Sequence, residues 1–236
     1  MSKHPYLDAL NRDGFVLVPS LLTPEQLTTL RSAALETTAL ARSGGWPHVR
    51  TLPKQFPPWP TSPPPGTGIW GVQFLMHPSL PHSQLFTANY FSTPIVSVVK
   101  ELLQCSDSEL VLELFNLLVR PDEDFELVWH RDDIPASATP EEELERLGKP
   151  SWHAQWNLAL YDDESLIVVP GSHVRARTEK ERKAGPKEVG LPGEMRVKMR
   201  AGDVVFYNNN ILHRGAYESA RERMTLHGSM GACGGE

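Results

Sequence analysis

The run Val128-Trp129-His130-Arg131-Asp132-Asp133 sets an imidazole and a carboxylate two positions apart. Alternate residues of an extended strand share a face, so His130 and Asp132 would project together. A metal ion held by such a pair needs a third ligand. His213 offers one, at the end of an apolar run that begins at Val204 and passes through the turn-forming Asn208-Asn209-Asn210. Two histidines and one carboxylate leave coordination positions open, which suits Fe(II) chemistry with further ligands.

Spacing alone does not carry this reading, because His-x-Asp triplets arise by chance. A strand-end histidine satisfied by a neighbouring carboxylate is the plainer explanation, and Asp133 competes with Asp132. His-Arg-Asp also occurs in kinase catalytic loops. That alternative fails, since no Gly-rich phosphate loop precedes the triplet and the following residues lack the kinase pattern. Support comes from downstream, where Gly202-Asp203 turns into the run ending at His213 and Arg223 opens another. A guanidinium near an open iron site suits a small dicarboxylate, because its planar fork makes two parallel charge-assisted bonds. Arg221 competes for this role. If a strand begins at Arg223, then Arg223, Thr225 and His227 share a face while Arg221 stays in the loop, which favours Arg223.

The elements that must position these residues fit one domain spanning 1–236, with 40% hydrophobic and 22% charged residues. A formal charge of -6 and a pI near 5.9 argue against nucleic acid as a partner, which calls for a basic face. No apolar run approaches the roughly 20 residues of a membrane span, and the polar start lacks a signal-peptide core, so a cytoplasmic protein is expected. Cys105 and Cys233 are too few for a disulfide framework and are not spaced as a zinc site.

Thr23-Pro24-Glu25-Gln26 is a capping-box start for a helix over 24–40, preceded by a short helix over 5–11 and a strand over 14–18. Residues 42–68 contain eight prolines, which deny them a regular helix or ladder, so they read as a lid or as a surface loop. Strands are expected over 69–76, 110–120 and 124–130, and helices over 80–90 and 94–103. An excursion over 135–150 carries a charged, exposed helix beginning at Thr139-Pro140. Further strands fall at 153–161, 166–169, 195–199, 204–207 and 223–230. The charged segment 175–190 reads as a mobile loop, and 231–236 as a fraying tail. This pattern suggests a mainly β jelly-roll barrel, a double-stranded β-helix over 110–230, flanked by helices and the proline-rich loop within 1–104.

Taken together, Asp13-Gly14-Phe15-Val16-Leu17-Val18-Pro19, Trp129-His130-Arg131-Asp132, Val168-Val169-Pro170-Gly171-Ser172-His173, Gly202-Asp203 with His213, and Arg223 resemble the phytanoyl-CoA dioxygenase family. The resemblance covers nearly the whole chain. It implies an Fe(II)- and 2-oxoglutarate-dependent dioxygenase that uses O2, releases succinate and CO2, and hydroxylates an unactivated C–H bond of a small molecule. By the same resemblance His130, Asp132 and His213 would ligate iron, Arg223 would grip 2-oxoglutarate, and Trp156 would line the co-substrate pocket. His173 would belong to a shape-setting turn. Asp132 disfavours halogenation, because related halogenases vacate that position. Two departures, the short turn over 161–165 and the insertion over 135–150, bear on the substrate rather than on the cofactor.

Candidate substrate contacts are Arg50, Gln73, His77, Asn116, Asn208 and Asn210, each of which a structural hydrogen bond would also explain. The basic residues of 175–187 could attract an anionic substrate, or simply form a solvated loop. Two other functional classes stand beside the oxygenase. One is a redox-silent metal-dependent isomerase or lyase, in which Arg223 would have no purpose. The other is a metal-free binding protein, against which the intact His130, Asp132 and His213 argue.

Overall fold

A computed structural model describes residues 3–52, 68–150, 152–185 and 187–234. Helix α1 (Pro5–Asp13) stops at Gly14, whose φ of 82° lets its N–H return to the Leu10 carbonyl. Strand β1 (Phe15–Val18) follows, and α2 (Pro24–Arg42) starts from the reciprocal Thr23–Gln26 cap that the sequence announces. Next come β2 (Val49–Thr51), β3 (Ile69–Val72), α3 (Ser83–Tyr90), α4 (Thr93–Leu103) and β4 (Leu110–Val119). The second half supplies β5 (Phe125–Glu126), α5 (Pro140–Leu147), β6 (His153–Ala159), β7 (Leu166–Val169) and α6 (Glu179–Lys183). The chain closes with β8 (Met195–Arg196), β9 (Val204–Tyr207), β10 (Leu212–Tyr217) and β11 (Met224–Ala232).

These strands form two antiparallel sheets, one ordered β1-β9-β6-β11-β4-β3-β2 and the other β5-β10-β7-β8. Alternation divides the large sheet cleanly. Trp156, Leu158, Phe206 and Leu226 point outward and pack with Leu30, Ala34, Ile95 and Val99 of the helices. On the inner face, Ala159, Val205 and Tyr207 meet Val168 and Ile211 across the space between the sheets. The helices therefore cover one face of a jelly roll, and the other face is free to line an interior.

Several expectations need correction. The first hundred residues are not only a flank, because β1, β2 and β3 build both edges of the large sheet. Strand β2 lies within the expected proline-rich loop, where Val49 and Arg50 pair with Val72 and Gly71; residues 53–67, and with them most of the lid question, fall outside the described residues. The strand expected over 124–130 ends at Glu126, and His130 is held by one isolated bridge to His213. Helix α5 is not wholly exposed, since Glu143 is fully buried beneath Arg177 and Arg182. The same ion pairs pin the segment expected to be mobile, and β11 runs to Ala232 where fraying was expected.

Candidate metal centre

Between the sheets lies a cavity of about 860 Å3 that His130, Asp132 and His213 all line. Reciprocal backbone bonds between His130 and His213, each 3.0 Å, set the two imidazoles side by side with ring centroids 4.2 Å apart. Asp132 leaves the bridge and is fixed by its own N–H, which donates to the Asn209 carbonyl at 2.9 Å. One ligand atom from each of the three lies within 4.8 Å of the others, a grouping that could hold a metal ion.

The surrounding bonds point the right atoms inward. His130 Nδ1 lies 2.7 Å from the Val128 carbonyl, and His213 Nδ1 lies 2.9 Å from the Ile211 carbonyl. A carbonyl only accepts, so each Nδ1 carries the proton and each Nε2 keeps its lone pair. Both Nε2 atoms face Asp132 Oδ1, at 3.5 and 3.7 Å. The other carboxylate oxygen, Oδ2, accepts from Gln155 Nε2 at 3.0 Å. Burial, reinforced by the neighbouring His213, pushes the His130 imidazole down to about 4, so it is neutral and able to ligate at physiological pH.

Arg223 lines the same cavity and is 4% exposed. Its Nε donates to Asp163 at 2.8 Å, one Nη donates to Thr225 at 2.9 Å, and the guanidinium carbon stands 4.5 Å over the Tyr217 ring. The remaining nitrogen, Nη1, is buried without a partner. A buried, unused charged donor costs free energy, and a carboxylate ligand would satisfy it. Burial alone would raise the Asp163 carboxyl, but the Arg223 charge and hydrogen bonds from Arg223 and Ser165 outweigh it and hold that group below the usual range. Arg221 is not part of the cavity and pairs instead with Glu164.

Of the other expected residues, Arg50, Gln73, His77 and Asn116 line the cavity. Asn208 and Asn210 do not. Asn208 Oδ1 accepts the Asn210 N–H at 2.8 Å, closing a tight Asx turn, and it is Asn209 that reaches the cavity. Trp156 is likewise misplaced by the sequence reading. Its fully buried ring faces the helices, within 5.4 Å of the Tyr90 ring and 5.8 Å of the Phe206 ring. Its strand neighbours Gln155 and Asn157 line the cavity instead. The signal was available: polar Gln155 and Asn157 alternate with apolar Trp156 and Leu158, so one face of β6 was marked polar. Burial, with Arg50 nearby, pushes His227 down to about 3, so its neutral ring rests 3.1 Å from Asn157 Oδ1. Asn157 Nδ2 donates in turn to the Tyr207 hydroxyl at 3.4 Å.

Two facing antiparallel sheets, a two-histidine, one-carboxylate cluster and a buried arginine with a free donor define the class of non-haem Fe(II), 2-oxoglutarate-dependent enzymes. The chain belongs to the phytanoyl-CoA dioxygenase family, whose family model matches residues 10–225. It is accordingly an iron- and 2-oxoglutarate-dependent oxygenase. No curated sequence is significantly similar to it. Among solved structures, the fold is similar to that of AviO1 from Streptomyces viridochromogenes, with TM-score 0.68, 18% identity, and coverage of 100% of this chain and 97% of that one. It is similar also to EctD from S. alaskensis with 2-oxoglutarate and 5-hydroxyectoine, with TM-score 0.69, 17% identity, and coverage of 98% and 76%. HygX from Streptomyces hygroscopicus, with nickel and 2-oxoglutarate bound, has TM-score 0.69, 16% identity, and coverage of 99% and 88%. Among the described residues no helix is long and apolar enough to cross a membrane.

Proposed function

We propose that the protein hydroxylates an unactivated C–H bond of a small organic molecule, with His130, Asp132 and His213 as the iron ligands and Arg223 as the anchor of 2-oxoglutarate. The observation that carries this reading is the unpaired Arg223 Nη1 in the cavity that the three ligands share. When bound, Fe(II), 2-oxoglutarate and O2 supply an oxidation that inserts oxygen into a C–H bond and releases succinate and CO2.

The protein's own residues do the positioning. The Val128 and Ile211 carbonyls fix both imidazoles with Nε2 inward, and Gln155 holds Asp132 by one oxygen while the other faces the histidines. Asp163 and Thr225 orient Arg223, so one end of its fork remains for a carboxylate. Neutral His227 adds no competing cation beside the metal cluster. Wide space beyond the cluster, walled by Phe74, Met76, Leu112 and Leu114, receives the substrate. A redox-silent isomerase or lyase on this scaffold would leave the Arg223 donor without purpose.

Anaerobic addition of Fe(II) and 2-oxoglutarate to the metal-free protein is expected to produce a weak visible charge-transfer band. A protein that binds both and gives no band contradicts the proposal. Succinate formation in air then reports turnover, and mass spectrometry of the organic product distinguishes hydroxylation from desaturation.

A further inference from the structure

The cavity is polarised along its length. Arg223 and Arg50 lie at its inner end, Arg50 with its guanidinium carbon 5.4 Å over the Trp70 ring. Glu113 stands toward the other end, and Asp133 lines the cavity within electrostatic reach of it. Ser229, which bonds Glu113, lies six positions beyond Arg223, about 20 Å at the rise of a strand. A dianion suits the inner end and a cation the outer one.

Three further observations bear on the outer end. Glu113 is paired with His153, but the only partner of the Asp133 carboxylate among the described residues is Asn210 Nδ2, at a long 3.4 Å. Gln73 is 6% exposed and lines the cavity with no side-chain hydrogen bond to another described residue, so its amide is open to a ligand there. Phe74 adopts φ of 61°, a left-handed conformation unusual for a bulky side chain, and Asn116 Oδ1 holds it there by accepting its N–H at 3.2 Å. Such strain gathers at ligand clamps, and here it leaves the Phe74 ring 55% exposed on the cavity wall.

The basic segment that could have welcomed an anion is already occupied. Arg175 pairs with Glu181, Arg177 and Arg182 with Glu143, and Lys183 with Glu179, and none of these cations lines the cavity.

We infer that the outer half of the cavity binds a small substrate bearing a protonated amine, with Asp133 and Glu113 as its charge contacts, the Phe74 ring as a cation–π surface and Gln73 as a hydrogen-bonding partner. The inference rests on the oxygenase reading above. Asp133 forms no ion pair among the described residues, with His153 only within electrostatic reach, so an ammonium gains a partner there while a carboxylate or a coenzyme A thioester meets like charge.

Calorimetric titration of the full chain at neutral pH, with and without Fe(II) and 2-oxoglutarate, tests this with aminohexanol, its neutral N-acetyl derivative, hydroxyhexanoate and hexanoyl-coenzyme A. The amine is expected to bind about tenfold more tightly than the neutral probe, and the anions more weakly still. Asp133→Asn combined with Glu113→Gln is expected to erase that order, and Asp133→Asn alone to reduce it if the double variant does not fold. An amine that binds no better than its acetyl derivative, a thioester that binds as well as the amine, or a preference that survives Asp133→Asn unchanged would overturn the inference. The two readings separate in the same samples. Amine preference without the charge-transfer band sinks the oxygenase reading alone, and the band without amine preference sinks this one.

Discussion

Arg223 donates through Nε to Asp163 Oδ2 at 2.8 Å, and both side chains are almost wholly buried. The pair joins the start of β11 to the turn after β6, sixty residues apart in sequence. It fixes which end of the guanidinium faces the cavity, and it accounts for a short acidic turn whose role is not evident from its composition.

Replacing Arg223 by Gln removes the charged fork but keeps a polar side chain. The Michaelis constant for 2-oxoglutarate is expected to rise by about a hundredfold, in line with loss of a buried charge-assisted pair. Fe(II) affinity, read by calorimetry on the same variant, is expected to hold.

Asp163 also makes stability depend on acid. Its folded value lies below the ordinary one, so the stabilisation is fully present above about pH 4 and is lost as pH falls through the lower folded value. Urea midpoints measured downward from about pH 5 are expected to drop more steeply for the natural protein than for Asp163→Asn. The variant should already be weaker at pH 7, since it leaves Arg223 buried without a counter-charge.

Gln155 holds the oxygen of Asp132 that faces away from the histidines. Gln155→Leu frees that carboxylate to rotate, and Fe(II) affinity is expected to fall by about 10- to 100-fold with the fold intact. Asp132→Ala should abolish the charge-transfer band altogether.

Glu143 accepts from Arg177 and Arg182 and lies 3.7 Å from Arg131 Nε, the residue between the two ligands of the metal motif. Glu143→Ala would strand buried guanidinium groups, and a loss of about 3–5 kcal/mol is expected in chemical denaturation. The charged helix α5 is thereby a fastening for the metal motif rather than a solvated excursion.

Gly228 lies beside Trp156, and a Cβ there would come within 2.2 Å of the indole. Gly228→Ala is expected to cost about 1–3 kcal/mol through overpacking. The dissociation constant for 2-oxoglutarate should hold in a Trp156→Phe variant, because that ring packs against the helices.

The sequence by itself determined what is local or periodic. The Thr23 and Thr139 caps, the alternation along β6 and β11, and turn residues such as Gly202-Asp203 marked these elements, because short-range hydrogen bonding and side-chain direction depend on a few neighbouring residues. His130, Asp132, His213 and Arg223 were legible because their residue types are chemically specific and the family resemblance joined them. Tertiary structure decided whatever depends on a partner distant in the chain. It paired Arg223 with Asp163, buried Glu143 under arginines from another loop and brought Arg50 and Asp133 to one cavity. Those outcomes follow from which faces the two sheets turn toward each other, and spacing along the chain does not encode that choice.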